Sequence, residues 1–511
     1  MGYIEGQDRN QMILFPESIE DYVSVDNVVR VIEAYVEQAD LEEMGFTKTT
    51  PASTGRPPFS AKTLVKLYIY GYSNQIRSSR KLNRETKRNL EVMWLLKKLS
   101  PDHRVIADFR SENAKPLKVL FRSFVKMCNE FGLYGKELSA IDGSKFEAVN
   151  PNDRNFNDKK LEERIARLDA KIEEYMKSLD EVDKQEEISA TENKGKTADI
   201  IEEMKRRKAI YEEYRQRLSE TGDSQISQTD PDSRRMQSNG RADVCYNVQH
   251  VIDSKHKMVV DFEVTNQAND VNQLSKMTQN SADILEVESI TSISDKGYDN
   301  ATEIAKCIMA GHQPHVIGTD FDICIPIAEA EQGQPSACIE ITEHHNGRCI
   351  YLEDRNIAIC PMGQILYPSS YKKSKGIALF RNGRACSACK CKCTEGKYKV
   401  FEIRMPKSKF TKEYTTEGLS IKQVRIKADG ELCKLRKSLA EHPFGTIKRS
   451  MGAGYLLTKG LGKVIGEISL TYLSYNLKRA INILGVKEFI DAIKNRKKRG
   501  RLTSCRLLFA A

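Results

Sequence analysis

The stretch ELSAIDGSKFEAV, residues 137–149, decides how the rest of the chain is interpreted. The apolar residues Ala140 and Ile141 predict a short buried strand, and Asp142 follows at its predicted end. Asp-Gly is a common turn dipeptide, so Asp142 with Gly143 is by itself either a turn former or a metal ligand. Other residues in the sequence that could form a site together with Asp142 have to decide between these interpretations.

The composition describes a long, highly charged chain with an excess of positive charge. Its 511 residues exceed one ordinary core, which predicts roughly two to four domains. Hydrophobic residues make up 40% and charged residues 30%, as is typical of globular domains with a charged surface. The formal net charge of +10 indicates an acidic partner, and nucleic acid is the leading class.

The N-terminal sequence and the cysteine content indicate the compartment. MGYIEGQDRNQ has no basic region followed by an apolar core, so no signal peptide is predicted. No apolar run is long enough to cross a bilayer, so no membrane partner is expected. The 13 cysteines, an odd number without a secretion signal, predict reduced thiols and a cytoplasmic location.

Residues 1–135 are predicted to be helical and to bind DNA. Ser60 suits the N-cap of an apolar helix, and Ser100 suits the N-cap of a helix that has a proline at its first position. Short helices with polar caps and basic faces resemble a helix-turn-helix unit, although an ordinary solvated basic surface is the alternative. In the helix after Ser100, Arg104 and Arg110 are expected to face outward and to contact DNA.

Two amphipathic segments lie within residues 158–221. Apolar residues from Leu161 to Leu179 alternate in steps of four and three, and a second seam runs from Ile200 to Leu218. A polar linker separates them, which predicts an inserted antiparallel helical hairpin. Its role is open between a structural element, a dimer contact and an arm that touches DNA.

An α/β fold with a mixed sheet is predicted for residues 136–320. The β-rich runs at residues 245–253 and 257–265 predict a hairpin. A helix, a strand that ends in Asp295, a second helix and a further strand follow in that order. Adjacent strands that both end in Asp place their carboxylates at one edge of the sheet.

A third carboxylate, Glu441, lies in a basic segment that contains Arg436, Lys437 and Lys448. Lys448 is seven residues after Glu441, so both are expected on one helix face, although Pro443 favours a kink or a helix start. Carboxylates hold Mg²⁺ together with water and substrate phosphate, and two ions about 3.5–4 Å apart stabilise phosphodiester displacement. The neighbouring cations suit the DNA backbone.

A cysteine-rich insertion, residues 321–419, is predicted to be rich in loops. A Cys-x2-Cys with two further cysteines has the composition of a tetrahedral structural zinc site. The predicted ligands are Cys360, Cys386, Cys389 and Cys393, with Cys391 as a rival to Cys393, and with Cys349, His344 and His345 as further candidates. Free cysteines in a loop are the alternative. Helices are predicted from residue 415 onward, including 420–490, followed by a basic tail at 491–511 suited to phosphate.

Taken together, the motifs resemble the DDE transposases of bacterial insertion sequences, and within them the IS-eleven-eighty-two group. The resemblance runs in family order from about residue 10 to 490. It rests on GRPPFSAKTLVKLYIYGYSNQIRSSRKL, MWLLKKLSPDHRVIADFR, IDGSKFEA, TDPDSRRM, YNVQHVID, VTNQANDVNQL, SDKGYDN and EHPFGTIKR.

The resemblance implies an RNase H-like catalytic domain behind a helical DNA-binding domain. It implies that Asp142, Asp295 and Glu441 are the catalytic carboxylates, with two Mg²⁺ or Mn²⁺ ions per site. The family's Tyr-x2-Arg-x3-Glu-x6-Lys signature is only partly kept, because Lys434 and Lys437 stand at its Tyr and Arg positions. Family members carry similar cysteines in the corresponding region.

The leading prediction is a metal-dependent transposase that cleaves double-stranded DNA at the inverted repeats of its element and joins the ends to target DNA. Two ends must be joined, so a homodimer or larger synaptic complex is expected. The alternative is a catalytically inactive, repurposed transposase that acts as a sequence-specific repressor. A general RNase H-like nuclease is a third interpretation.

Overall fold

The computed structural model describes residues 18–50, 57–183, 190–238, 240–327, 347–389 and 393–498. These residues are mixed α and β, and their contacts separate them into two units. One unit contains the described parts of Met1–Tyr134, Thr446–Ala453 and Ile465–Ala511, and the other contains those of Gly135–Gly445 and Gly454–Val464. No helix in the described part of the chain is long and apolar enough to span a membrane.

The first unit is helical, as predicted for the N-terminal region. Its helices are α1 (Val28–Gln38), α2 (Ala61–Ser73), α3 (Ser79–Arg88), α4 (Leu90–Leu95), α5 (His103–Glu112), α6 (Ala114–Glu130), most of α13 (Leu461–Leu484) and α14 (Val486–Lys498). Ser60 caps α2 as predicted, accepting a 3.2 Å hydrogen bond from the Thr63 N–H. The predicted cap at Ser100 is wrong, because Asp102 caps α5 by accepting a 2.9 Å bond from the Arg104 N–H.

Arg110 lies in the core of the helical unit and is only 6% exposed. Its guanidinium donates a 2.8 Å hydrogen bond to the Tyr72 hydroxyl and a 3.3 Å bond to the Arg77 carbonyl. It also lies 5.6 Å from the ring centre of Tyr68. The prediction that Arg110 faces outward is wrong, because the guanidinium is buried inside the fold, where Tyr72 and a backbone carbonyl accept hydrogen bonds from Nη1.

A six-stranded mixed sheet forms the centre of the second unit. Its strands are β1 (Leu138–Glu147), β4 (Arg234–Ser238), β5 (Arg241–Asp253), β6 (Val259–Thr265), β7 (Thr291–Ser294) and β8 (Gln313–Val316). Their order is β4-β5-β1-β7-β8, with β6 also paired to β5. β5 is antiparallel to both β1 and β6, whereas β7 and β8 continue the sheet in parallel with β1. The predicted mixed sheet and the β5–β6 hairpin are therefore present.

Three helices flank this sheet: α9 (Leu274–Leu285), α10 (Ala301–Met309) and α12 (Gly430–Gly445). Helix α12 packs on β1 and β7, and its Phe444 ring stacks on His250 of β5 with ring centres 3.6 Å apart. His250 pairs in register with Asp142, so Asp142 shares this face of the sheet. Gly143 and its register partner Gln249 lie on the other face.

Two long helices, α7 (Asp158–Asp183) and α8 (Ala190–Thr221), form the predicted pair after β1. Ion pairs of 2.6 Å between Lys208 and Asp169 and of 2.8 Å between Arg215 and Asp158 show that the helices run antiparallel. Below them, the short strands β2 (Asn155–Phe156) and β3 (Ile226–Ser227) pair.

The described part of the cysteine-rich region contains more regular structure than predicted. It contains a five-stranded sheet, a short helix and a separate two-stranded ladder. The prediction of a helix from residue 415 onward is wrong, because the second strand of this ladder lies there instead. These elements are β10 (Ile350–Leu352), β11 (Ile357–Ile359), β12 (Ile365–Lys372), β13 (Ile377–Arg381), α11 (Gly383–Ala388) and β14 (Val400–Arg404), and the pair β9 (Asp320–Ile327) and β15 (Ser420–Lys427). Leu366, Ala378 and Phe380 form its buried core, which the short alternating runs did not reveal.

Candidate functional site

Asp142 lies inside β1 rather than at its end. The strand continues to Glu147 because β5 pairs with it along its whole length, so the predicted turn at Gly143 is wrong. The parallel pairing with β7 ends earlier, at Ala140 and Ile293. Asp142 therefore stands beyond the paired end of β7, with its side chain only 12% exposed.

Asp295 directly follows β7, as predicted, and begins a short 3₁₀ turn. Its Oδ1 accepts a 2.8 Å hydrogen bond from the Gly297 N–H, which fixes the carboxylate at the start of that turn. Because β1 and β7 are neighbours and run parallel, Asp142 and Asp295 lie at the same edge of the sheet.

Arg436 of α12 contacts both carboxylates. Its Nη2 lies 2.7 Å from Asp142 Oδ1 and 3.4 Å from Asp295 Oδ2. The Arg436 side chain is 15% exposed, and its Nε has no hydrogen-bond partner among the described residues. The Arg436 guanidinium thus supplies positive charge beside both aspartates, at the position that a bound cation would take.

Burial raises the pKa of Asp142 to about 6, and the neighbouring Asp295 carboxylate adds to this shift while Arg436 opposes it. Burial disfavours the charged form of a carboxyl group, and a like charge nearby disfavours it further. The two aspartates therefore need positive charge beside them to stay ionised together. Such a pair suits a hard divalent cation, which carboxylate oxygens bind.

Glu441 is not part of this contact. Arg436, Ala440 and Phe444 follow at four-residue intervals on the face of α12 that meets the sheet, whereas Glu441 is rotated about 100° from Ala440 and is exposed. Within the described ranges, no group of three or more His, Cys, Asp or Glu side chains is arranged to hold a metal ion. The structure brings Asp142 and Asp295 together, and the role of Glu441 stays a prediction.

The remaining basic candidates occupy different elements. Lys437 is exposed on α12, and Arg104 is exposed on α5. Lys448 is half-buried in a π-helical turn, Thr446–Ser450, which belongs to the helical unit. Of the predicted basic tail, the structure describes the part up to Lys498, and the residues beyond it lie outside the described ranges.

Sequence analysis missed a set of polar residues on the other face of β1 and β5. Asp270 accepts hydrogen bonds of 2.6 Å from Asn247 and 2.5 Å from Gln249, and Lys145 lies 3.7 Å away. Burial lowers the pKa of Lys145, and Asp270 opposes that shift. The available signal was the alternation of the polar residues Asn247 and Gln249 with apolar residues within a buried strand.

The four predicted zinc ligands lie together. Cys360, Cys386, Cys389 and Cys393 line one cavity of about 10 Å³, which is the space of a single water. The Cys360 thiol contacts Cys393, and this hydrogen bond lowers the pKa of Cys393. Cys349 packs against the same core. Cys391, His344 and His345 lie outside the described residues.

Two segments of the chain match known protein families. Residues 17–112 match a family described as Transposase domain (DUF772), and residues 359–481 match the Transposase DDE domain family. Glu441 and the four cysteines fall in the second segment, whereas Asp142 and Asp295 lie outside both.

Among solved structures, the chain is similar to the cryo-EM structure of the piggyBac transposase synaptic complex with hairpin DNA. The identity is 7% and the TM-score 0.30, over 96% of this chain and 83% of that chain. No curated protein matches this sequence significantly. Two separate segments of the chain, one in the helical N-terminal region and one beginning in the cysteine-rich sheet, thus match transposase domains.

Proposed function

We propose that this chain is a DDE transposase of the insertion-sequence type, which cleaves DNA at the inverted repeats of its element and joins the freed 3′-hydroxyl to target DNA. The observation that carries the proposal is the meeting of Asp142 and Asp295 at one sheet edge, from distant parts of the sequence. The two transposase domain matches support it from other residues.

The strand arrangement supports an RNase H-like catalytic domain. Three adjacent strands, β6, β5 and β1, are antiparallel, and β7 and β8 then extend the sheet in parallel with β1. In this proposal the catalytic domain comprises residues 136–320 and helix α12, because α14 and most of α13 belong to the helical unit. The hairpin at 158–221 and the region at 321–419 are insertions into it.

Asp142 and Asp295 fit a divalent cation, because they are close, partly buried and already compensated by a guanidinium. They would hold two Mg²⁺ or Mn²⁺ ions, with Glu441 as the third carboxylate. When bound, the ions stabilise the attacking and leaving oxygens of the phosphodiester. Arg436 and Lys437 would position DNA phosphates near this site, and Lys448 of the helical unit would contact DNA as well.

A basic stripe on α3 supports double-stranded DNA as the partner. Leu82, Glu85 and Thr86 bury one side of the helix. Five cations occupy about a third of its circumference on the exposed side: Arg80, Lys81, Arg84, Lys87 and Arg88. Only Arg88 of these forms an ion pair in the described part of the chain, with Glu85. An α-helix fits the major groove, and unpaired cations bind phosphates, so α3 and exposed Arg104 form the proposed DNA surface.

The cysteine cluster supports a structural zinc ion. Cys360, Cys386, Cys389 and Cys393 line one cavity of one atom's size, and zinc takes four thiolates in tetrahedral sites, although the described side chains are not arranged around an ion. This ion would be separate from the catalytic ions, because thiolates select zinc over magnesium. Joining two element ends would require a homodimer or larger assembly, working in the cytoplasm on DNA.

The decisive experiment uses DNA fragments that span the ends of the region encoding this protein, incubated with the full chain and Mg²⁺ or Mn²⁺. We expect cleavage and strand transfer at those ends, and a loss of at least about 1,000-fold in Asp142→Ala. The affinity of Asp142→Ala for the same DNA, measured in EDTA, should equal that of the unmodified chain. Replacing Arg80, Arg84 and Lys87 by Ala should instead weaken binding and reduce the slope of log affinity against log salt by about 2–3.

Two outcomes would redirect the proposal. End-specific footprints without cleavage would favour a catalytically inactive repressor, an alternative to which the exposed position of Glu441 lends support. Cleavage without preference for ends would favour a general nuclease. Lys62, which is paired with Glu37 on the same unit, is the matched control for charge removal, and Lys62→Ala should leave the salt slope unchanged.

A further inference from the structure

Gly143 directly follows Asp142, and Gly297 lies two residues after Asp295. Both glycines lie close to the side chain of Asp270. A Cβ on Gly143 would lie 2.4 Å from Gln249 Nε2 and 2.8 Å from Asp270 Oδ1. A Cβ on Gly297 would lie 2.9 Å from Asp295 Oδ1 and 3.7 Å from Asp270 Oδ2. Asp270 therefore occupies space next to both segments, and it approaches them closely because neither glycine carries a side chain.

Asp270 is held by strand β5. Its Oδ1 accepts hydrogen bonds from Asn247 Nδ2 at 2.6 Å and from Gln249 Nε2 at 2.5 Å. Asn247 and Gln249 are two residues apart on one face of β5, and both are fully buried. Gln249 pairs in register with Gly143, so the bond to Asp270 lies directly behind the Asp142 segment of β1.

The other end of the Gln249 amide reaches the Asp295 turn. The Tyr298 hydroxyl donates to Gln249 Oε1, and Tyr298 is fully buried three residues after Asp295. One amide thus connects Asp270 on one side with Tyr298 on the other. The chain of hydrogen bonds links β5, β1 and the turn that carries Asp295.

We propose that Asp270 is a positioning residue of the aspartate site: through Gln249 and Tyr298 it fixes the Asp295 turn relative to Asp142, so that both carboxylates meet one divalent cation. This inference rests on the proposed metal-dependent function. Removing one partner of a buried hydrogen bond leaves the other polar group unsatisfied, so the Gln249 amide would turn away and release Tyr298.

The test compares Asp270→Ala with Asp270→Asn in the full chain. Asn keeps an oxygen that accepts from Asn247 and Gln249, whereas Ala removes it. The Mn²⁺ concentration needed for half of the metal-induced rise in Tm should increase about 10–100-fold in Asp270→Ala, with a matching loss of cleavage. Asp270→Asn should stay within about threefold of the unmodified chain. Glu402→Ala, which removes an exposed carboxylate paired with Lys372, is the control and should change neither quantity.

Tyr298→Phe removes a single oxygen and keeps the proposal testable if Asp270→Ala fails to fold. It should shift the Mn²⁺ requirement in the same direction, and the double variant should be no worse than Asp270→Ala, because both changes break one chain of bonds. An unchanged Mn²⁺ requirement in both variants would overturn the inference, even if stability fell. So would an Asn variant as impaired as the Ala variant, since Asp270 would then act through its charge. An unmodified chain that gains Tm with Mn²⁺ but does not cleave DNA would contradict the proposed function alone.

Discussion

The aspartate pair and the cysteine cluster collect metal-ligating side chains in different ways. Asp142 and Asp295 are far apart in sequence and lie close together only because β1 and β7 pair, with Arg436 between the two carboxylates. The cysteines lie around a cavity of one atom's size, and three of them come from a single short segment that includes Cys386 and Cys389.

The difference follows from the charge of the ligands before a metal arrives. Carboxylates are ionised at neutral pH, so two of them in a partly buried place need a permanent counter-charge, and the fold supplies an arginine. Thiols release their protons when a metal binds, and in this cluster the hydrogen bond with Cys360 already lowers the pKa of Cys393. If the sites bind metal as proposed, we expect the aspartate site to be stable without an ion and the cysteine core to depend on zinc for much of its stability.

The largest expected effect is on the cysteine side of this comparison. Cys386→Ser should lower the free energy of unfolding by at least about 4 kcal/mol, because it removes a ligand from a site whose metal binding is coupled to folding. Urea unfolding and the zinc content of the purified chain measure the two quantities. Cys433→Ser, in a half-buried position on α12, is the control and should cost less than about 1 kcal/mol. If the purified chain contains no zinc and Cys386→Ser leaves the free energy of unfolding unchanged, these cysteines are ordinary core residues.

An intermediate effect is expected at the arginine between the aspartates. Arg436→Met should lower the free energy of unfolding by about 2–4 kcal/mol without metal, because it leaves two carboxylates facing each other. Added Mn²⁺ should recover more stability in this variant than in the unmodified chain. Arg425 bridges Asp320 and Asp322 in a similar way but is 48% exposed, so Arg425→Met should cost less than about 1 kcal/mol. Equal losses in the two variants would show that Arg436 has no special compensating role.

The smallest expected effect is the pH dependence of the metal-free chain. The pKa of Asp142 is about 6 in the fold, above its usual 3.8, so the stability that its proton provides is complete below about pH 4 and is lost as pH rises through 6. Relative to Asp142→Asn, the unmodified chain should lose about 2 kcal/mol of unfolding free energy between pH 4 and 7. Urea unfolding of both proteins across this range measures it, and parallel curves would contradict the shifted pKa.

The sequence located the two aspartates because strand-ending carboxylates stand out against apolar runs. It did not show that β1 continues past Asp142, since that depends on pairing with β5. An outward face for Arg110 followed from helical periodicity, which cannot reveal that Tyr72 accepts a hydrogen bond from the guanidinium inside the core.

The cysteine region and Asp270 show a second limit. Strands such as β10 and β11 are three residues long, so their alternation carried little signal, and their pairing depends on contacts outside each run. Asp270 lies in a polar stretch without periodicity, and its bonds to Asn247 and Gln249 form only when β5 is in place. The cysteine positions were informative because their residue type is rare and their spacing is local.

The small ladder of β2 and β3 beneath the helical hairpin has a consequence for folding kinetics. The strand β1, which carries Asp142, and its partner β5 are separated in sequence by the whole of α7 and α8, so their pairing has a high contact order. Phe156, Leu161, Leu218 and Ile226 pack together at the base of the hairpin and close that segment locally. Once this base has formed, the remaining loop between β1 and β5 is short. The hairpin can therefore vary in length with little cost in loop entropy and without changing the register of the strand that bears Asp142.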